Sequence, residues 1–418
     1  MRNLSFPAVV IGGGAAGMAA ANEIAQAGYQ VALIERERTL GGILMQCIHN
    51  GFGVHEFKEE LTGPEYAERW ENIVQNQKID IFCDTTVIEL SENGNQKTAV
   101  CVSPSQGMFH IDCTVIVLAA GCRERNRGGV QIPGSRPAGV YTAGLAQRMI
   151  NMEGYLPGKE AVIVGSGDIG LIMARRMMWS GCKVHGVVEI QPYPSGLTRN
   201  ISQCLQDFSI PLYLSHIISK IYGKHRIEAV DITPLKEGQA DYDSTFQQAC
   251  DTLLLSVGLI PSQELIKPLN VHINPLTNGP QVDGRLMTSI PGIFACGNVL
   301  HVHDLVDFVS AEAKRAGRHA AEFLGGYQPR IQIRIKAGSN IRYTAPSAFN
   351  PERPETLYFR PMIVKNKAEV QVLIHNEVIR TFKKSHVQPS EMIEIDTSKL
   401  SISVDDVDLS TVMEVRLQ

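Results

Sequence analysis

Val9-Val10-Ile11-Gly12-Gly13-Gly14-Ala15-Ala16-Gly17 places a glycine-rich turn directly after an apolar run, and Val31-Ala32-Leu33-Ile34 then leads into Glu35. The pattern recurs once. Ala161-Val162-Ile163-Val164-Gly165-Ser166-Gly167-Asp168-Ile169-Gly170 is followed by Val184-His185-Gly186-Val187-Val188, which ends at Glu189. Each copy reads as strand, tight turn, helix, strand and acid. A pyrophosphate must approach the backbone at a helix N-terminus, where free N–H groups and the helix dipole favour negative charge. Glycine permits that approach. The first glycine (Gly12, Gly165) makes the turn, the second (Gly14, Gly167) admits the pyrophosphate, and the third (Gly17, Gly170) lets helix and strand pack closely. The acid about 20 residues on hydrogen-bonds a ribose. One such turn also occurs in ordinary strand-to-helix connections; two copies with full context predict two dinucleotide sites.

Outside the fingerprints, 418 residues that are 44% hydrophobic exceed a single hydrophobic core, so two or three domains are expected. A net charge of -4 without a block of like charges provides no basic footprint for nucleic acid. Nine cysteines, at 47, 83, 101, 113, 122, 182, 204, 250 and 296, contain no CxxC pair. That pattern predicts reduced thiols in a cytoplasmic protein and argues against a disulfide framework or a zinc site. The apolar stretch Ala8 to Ala21 contains the first fingerprint and so does not read as a signal peptide, and no uncharged run is long enough to span a bilayer.

Further along, Thr114-Val115-Ile116-Val117-Leu118-Ala119-Ala120-Gly121 reads as a buried parallel strand ending in small residues, and Thr252 to Ser256-Val257-Gly258 repeats that ending. Thr142 to Asn151 has a helical pattern. Gly292 to Asn298 precedes an amphipathic helix over roughly Leu305 to Leu324, apolar at Val306, Val309 and Ala313. From Tyr327 onward, alternating runs such as Glu369 to His375 and Val378 to Phe382, with prolines at 346, 351, 354, 361 and 389, predict a small β domain. Asn376-Glu377 is the expected hairpin turn between those runs.

In this order, the motifs of residues 8 to about 325 resemble the two-dinucleotide-domain flavoproteins that include the pyridine nucleotide-disulfide oxidoreductases. The resemblance implies an α/β fold of two Rossmann-like domains. Residues 1–125 and 275–328 would bind FAD, residues 126–274 would form an inserted NAD(P)-binding domain, and residues 329–418 would form a β-rich docking or assembly domain. It further implies that Glu35 and Arg36 lie at the FAD adenosine, that Gly41-Gly42 approach the pyrophosphate together with Gly12, Gly14, Ala16 and Gly17, and that Val87 meets adenine through its backbone. Ala119-Ala120-Gly121 and Ser256-Val257-Gly258 match the family's two small-residue strand ends. Gly297-Asn298 matches its Gly-Asp, with an amide where the family has an aspartate. The helix beginning near Leu305, Val306 included, would direct its N-terminus at the flavin, where a positive dipole end stabilises the reduced form. In the second site, Gly165, Gly167, Asp168, Gly170, Glu189 and Gly258 would hold NAD(H). Glu189 is followed by Ile190 and Gln191 rather than an arginine, which favours a free ribose 2′-OH and hence NADH over NADPH.

The disulfide reductases carry a CxxxxC after the Gly-Gly pair. Here the two positions are Leu44 and His49, within Gly41-Gly42-Ile43-Leu44-Met45-Gln46-Cys47-Ile48-His49. Dithiol chemistry of that type is not expected. Cys47, read as a thiol at a helix start beside the flavin, and His49 are the candidate catalytic residues, the first as a thiolate or sulfenate centre and the second as an acid, base or hydrogen bonder. Each also has a plain structural reading, a small buried hydrophobe and a hydrogen-bonding ring.

His301, His303 and Asp304 suggest a metal cluster at first sight. Only two imidazoles and one carboxylate converge locally, so no metal is expected there; one histidine should line the flavin site and the other should be structural. Ser310 to Arg318, with Glu312, Lys314, Arg315 and Arg318, reads as a solvated helix face of i,i+3 pairs without chemistry.

The run Gly41 to Gly53 and the run His301 to Asp307 together resemble a narrower subgroup, the flavin subunits of hydrogen cyanide synthase, opine oxidase and related amine, amino-acid or glycerol-3-phosphate dehydrogenase complexes. That likeness implies a second flavoprotein subunit and a small cysteine-rich or iron–sulfur component as partners, in a homo- or hetero-oligomer. No cysteine-rich region occurs here, so an iron–sulfur relay would belong to another chain. The resulting expectation is an FAD-dependent oxidoreductase that moves hydride between NADH and flavin and electrons to an acceptor. An electron-transfer subunit of a heteromeric dehydrogenase is the alternative, and a non-catalytic nucleotide-binding scaffold a further one.

Overall fold

A computed structural model describes residues 2–329, 331–353, 355–400, 402, 407–408 and 410–418. The chain divides into two compact units, Met1–Cys122 with Ile260–Gln418, and Arg123–Leu259. Among the described residues no helix is long and apolar enough to cross a membrane.

In the first unit, strand Arg2–Ile11 lies between Val31–Ile34 and Gly107–Leu118 and runs parallel to both. Ile79–Phe82 extends the sheet beyond Val31–Ile34, and Ile293–Ala295 pairs in parallel with the end of Gly107–Leu118. Thr86–Asn93 and Gln96–Ser103 continue it as an antiparallel meander. Ala8 to Ile11 and Val31 to Ile34 are all buried, which is why these strands read as continuous apolar runs rather than alternating ones. Helix Ala15–Gln26 packs along helix Val306–Leu324 through small residues: a Cβ on Gly317 would meet the Ala20 carbonyl oxygen at 2.4 Å. The parallel strand ends and the start of both helices therefore converge on one edge of the sheet, the usual place for a ligand in doubly wound folds.

The C-terminal part of this unit is β-rich. Five strands, in the order Ala348–Phe349, Ile333–Ala337, Val412–Leu417, Lys365–Ile374 and Glu377–Val387, form one sheet, and Ile341–Ala345, Thr356–Pro361 and Ile393–Asp396 form another. Ile333, Phe359, Val370, Val372, Met413 and Val415 belong to an apolar cluster that these sheets share. The hairpin turns on His375-Asn376, with φ of 51° and 66°, and Glu377 already pairs with Ile374. The turn thus sits one residue earlier than Asn376-Glu377. Two positive-φ residues at the centre match the right-handed strand twist, and that requirement outweighs the weak preference of either side chain.

In the second unit, five parallel strands run in the order Val140–Thr142, Thr252–Leu255, Glu160–Val164, Lys183–Glu189 and Leu212–Leu214. An antiparallel sheet of His216–Tyr222, Ala229–Lys236, Gln239–Ala240 and Phe246–Ala249 follows. Helix Ala143–Asn151 starts after Thr142, as its pattern predicts.

Candidate functional site

The two fingerprints fold into the same local structure, and the added-atom geometry of their glycines separates two causes. A Cβ at Gly12 would lie 2.4 Å from the Ala119 carbonyl oxygen, and one at Gly165 would lie 2.0 Å from that of Ser256. Both positions also have positive φ, 106° and 94°. These glycines, like Gly17 and Gly170 against the carbonyls of Gly12 and Gly165, are required by the protein's own packing. Gly14 and Gly167 are different: a Cβ at either meets no protein atom within 4 Å. Each sits at the N-cap of a twelve-residue helix, Ala15–Gln26 or Asp168–Trp179. A bare backbone, open space and a helix N-terminus are what a pyrophosphate needs.

Around the first turn, Gly12 N–H donates to the Ile34 carbonyl at 2.8 Å, and Ala119 N–H donates to that of Ile11 at 2.9 Å. Glu35 is buried. Its Oε2 accepts from Gly13 N–H at 2.6 Å and its Oε1 from Glu37 N–H at 2.8 Å. Gly41 N–H donates to the Gly13 carbonyl at 2.9 Å, and a Cβ on Gly42 would come within 3.3 Å of Gly14 Cα, so Gly41-Gly42 lie directly against the turn. Ala16 also borders Gly297. Val87 is buried in the strand Thr86–Asn93 opposite Cys101, Ala119 is buried, and Arg36, Ala120 and Gly121 reach the surface or its edge.

Glu189 is also buried, but it is more fully engaged. Its Oε2 accepts from Ser166 N–H (2.9 Å), Ser166 Oγ (2.6 Å) and Ser195 Oγ (3.1 Å), and its Oε1 accepts from Gln191 N–H (2.9 Å). Ser195 N–H in turn donates to Ser166 Oγ at 2.8 Å. Asp168 accepts from Leu197 N–H and Asn200 Nδ2 through one oxygen, so it ties down the loop after Glu189. Gly258 is exposed, with φ of 101°. Ser166 and Ser195 escaped the sequence reading because a serine in a loop carries no pattern of its own.

The segment from Gly297 to Asp307 departs most from expectation. Glu312, read as part of a solvated face, is fully buried, as are Ser310 and Arg315. Its Oε1 accepts from Gly297 N–H (2.7 Å) and His303 Nε2 (3.1 Å), and its Oε2 from His301 Nε2 (2.8 Å). Arg315 Nη2 is 4.0 Å from the same carboxylate. The imidazoles of His301 and His303 lie together, with centroids 4.2 Å apart, on backbone that is neither strand nor helix. The signal was present: Glu312 lies at i+3 from Val309, in line with Ala313 and Ala316, on the apolar stripe. Asp304 is not part of this cluster and pairs instead with Arg360.

His301, His303 and Glu312 place three potential ligand atoms within 4.8 Å of one another. The separations are hydrogen-bond lengths, and the carboxylate already faces two imidazole N–H groups, a backbone N–H and a guanidinium, so donors rather than lone pairs converge. Burial alone would raise the Glu312 carboxyl. The imidazoles of His303 and His301 outweigh it and hold the group well below its ordinary range. Burial, followed by the nearness of His303, lowers His301, against the pull of Glu312. The arrangement suits an anionic Glu312 and a neutral His301.

Asn298 Oδ1 accepts from His303 N–H at 3.0 Å. Because a backbone N–H can only donate, the remaining function of that side chain is its NH2 group, a donor. The helix Val306–Leu324 starts immediately afterwards, and Asp307 in its first turn accepts from Gly53 N–H (3.3 Å) and Glu56 N–H (2.9 Å). That contact fixes the segment after Gly41-Gly42 against the helix start. Cys47 lies in this segment, but it follows the 3-10 turn Gly42–Gln46 rather than opening a helix. The thiol is buried and its carbonyl accepts from Gly63 N–H at 2.8 Å, at the start of helix Gly63–Gln75. His49 is partly exposed, stacks on Phe52 with centroids 5.0 Å apart, and lies 3.1 Å through Nδ1 from the Asn50 carbonyl.

Residues 6–322 match the pyridine nucleotide-disulphide oxidoreductase family. The chain belongs to that family. It is a flavoprotein of the FAD- and NAD(P)H-using oxidoreductases, as the paired fingerprints predict. Hydrogen cyanide synthase subunit HcnB of Pseudomonas protegens is 28% identical over 65% of this chain and 60% of its own length. NADH oxidase of Methanocaldococcus jannaschii is 27% identical over 78% of this chain and 71% of its own. The chain therefore spans about three-fifths to seven-tenths of these relatives. The crystal structure of thioredoxin reductase from Lactococcus lactis superposes with a TM-score of 0.63 at 20% identity, over 77% of this chain and 100% of that one, a likeness of fold.

Proposed function

We propose that this chain is an NADH-dependent FAD oxidoreductase whose electrons leave to an acceptor other than a redox disulfide of its own. The observation that supports it is the paired geometry of the fingerprints: in both, the middle glycine is the one that no protein contact requires, and the acid beside it is buried and hydrogen-bonded to the turn. Bound flavin would supply the hydride and electron chemistry. Gly12 to Gly17, Glu35, Gly41-Gly42 and Gly297-Asn298 would hold it, with the N-terminus of helix Val306–Leu324 placing a positive dipole end at its developing charge. Gly165 to Gly170 and Glu189 would hold NADH, Glu189 accepting from the ribose hydroxyls and repelling a 2′-phosphate. Cys47 and His49 would stand nearest the acceptor side. The positions of the family's redox pair are Leu44 and His49.

A second reading is a flavin subunit that passes electrons to a partner chain, as the name of the hydrogen cyanide synthase relative suggests. In its support, three apolar side chains within twelve residues around Cys47 and His49, Ile43, Ile48 and Val54, are 63%, 41% and 48% exposed, which a covering partner chain would bury. Anaerobic titration of the purified chain tests both. Bleaching of bound flavin by one equivalent of NADH supports the oxidoreductase; bound flavin inert to NADH and NADPH contradicts it and points to an electron-transfer or scaffold subunit that needs its partner.

A further inference from the structure

The C-terminal β region carries no nucleotide motif, and the superposition on the thioredoxin reductase covers that whole protein with 77% of this chain, so the fold shared with it does not need an equivalent. Besides contacts to residues 282–284 and to helix Val306–Leu324, it grips one short segment with little regular structure of its own. Arg360, on strand Thr356–Pro361, is buried and donates through Nη1 and Nη2 to Asp304 at 3.0 Å, and through Nη2 to the Val302 carbonyl at 3.0 Å. Met392 N–H donates to Asp304 Oδ2 at 2.7 Å, an oxygen that Arg360 Nη1 also reaches. Both side-chain partners of Asp304 thus come from the C-terminal region. Next to it, Arg315 donates to the Thr356 carbonyl at 2.6 Å, and Tyr358 packs on the rings of His301 and His303 at 5.8 and 5.3 Å.

The same short segment is held from its other side by helix Val306–Leu324: Glu312 accepts from Gly297 N–H and from both imidazoles. In the same segment, the side-chain oxygen of Asn298 is held by His303 N–H, which leaves its NH2 group as a donor. Every hydrogen bond described here for residues 297–304 runs to Glu312, to the segment itself, or to the C-terminal region. A loop of this kind would otherwise be free to open, since it has no regular ladder beyond a single 3-10 turn, Gly297–Val299.

We propose that the C-terminal β region acts as a positioning element for the flavin site, in which Arg360 clamps Val302 and Asp304 and so fixes the orientation of the Asn298 amide. This rests on the reading that Gly297-Asn298 face the flavin. Arg360 is a positioning residue and touches no cofactor itself. The planar guanidinium matters because its rigid fork meets the carboxylate through two nitrogens while one of them also reaches the carbonyl, a fixed geometry that the point charge of an ammonium does not supply.

The full chain is tested as the wild type and as the Arg360→Met, Arg360→Lys and Asp304→Asn variants. FAD dissociation, the flavin absorption spectrum and midpoint potential, and hydrogen exchange of residues 296–304 are measured for each, with NAD+ binding at the second fingerprint as the control. The expected result for Arg360→Met is a loss of FAD affinity of roughly tenfold or more, the scale of a lost charged hydrogen bond. A shifted spectrum and potential, faster exchange in 296–304 and unchanged NAD+ binding should accompany it, with Arg360→Lys only partly restoring the wild-type values. Folded variants with wild-type FAD affinity, spectrum and exchange would overturn the clamp. If Arg360→Met fails to fold, Asp304→Asn carries the same test through exchange and flavin spectrum. A wild-type chain that binds no FAD would defeat the flavin reading instead, while exchange in Asp304→Asn still decides whether the segment is clamped.

Discussion

Glu35 and Glu189 occupy equivalent places in two copies of one motif, yet the protein treats them differently. Glu35 accepts two backbone N–H groups, whereas Glu189 accepts two backbone N–H groups and two serine hydroxyls. A ribose brings hydroxyl donors. At Glu35 such donors can be added to the existing pair, but at Glu189 they must compete with Ser166 and Ser195, which already donate what a ribose would. Glu35 thus keeps acceptor capacity that Glu189 has already given to serine hydroxyls. A buried carboxylate without donors would be costly, and the serine hydroxyls supply two of the four that Glu189 has.

The sharpest way to break this comparison is to fill each open turn. Gly14→Val should abolish FAD content and Gly167→Val should abolish reduction by NADH while FAD remains, each by roughly a hundredfold in affinity, or about 2.7 kcal/mol. Flavin absorbance and NADH titration read the two effects, and loss of FAD in the second variant would show that the sites are not separate. Glu189→Arg comes next. It should raise the KM for NADH by roughly tenfold and change that for NADPH much less, since an arginine can accommodate a 2′-phosphate; equal kinetics with both would contradict the assigned role.

Acidification should then separate the first site from the second. Both shifted groups act in the same direction. His301, lowered in the fold from an ordinary value of 6.5, withholds stability as pH falls below 6.5, because the unfolded chain gains the proton first. Glu312, lowered from an ordinary value of 4.5, contributes stability that is present above 4.5 and lost as pH falls further toward its folded value. FAD release is therefore expected to begin below about pH 6.5 and steepen below about pH 4.5, and Glu312→Gln should remove the second phase. Ser195→Ala should have a smaller effect, tightening NADH about threefold by removing a competitor worth roughly 0.5–1 kcal/mol, with no change in FAD. The smallest expected effect is on cofactor content in Cys47→Ser: FAD stays bound, and only reactivity with the acceptor changes. Lost FAD there would make Cys47 a packing residue alone.

Much of this was legible in the chain itself. The fingerprints, their acids and the helix at Val306–Leu324 follow from periodicity and from the few residues that can serve at a tight turn, features set within some thirty residues of sequence. The turn at His375-Asn376 was missed by one position because local preference is weak there and strand register decides. The reading of Ser310 to Arg318 as a solvated face failed for a different reason. Charged residues at helical spacing predict exposure on average, but Glu312 is flanked on its stripe by Val309, Ala313 and Ala316 and finds buried donors from a segment that no spacing rule connects to it.

The sequence by itself determined the two glycine turns, the buried acids beside them and the family, because those depend on glycine and carboxylate chemistry at fixed spacing. Tertiary structure alone decided that Ser195 closes on Glu189, that Glu312 gathers Gly297, His301 and His303, and that Arg360 reaches Asp304 from 56 residues away. Those partners are brought together by packing across the fold, and a hydrogen bond between distant residues leaves no period in the chain from which it could be read.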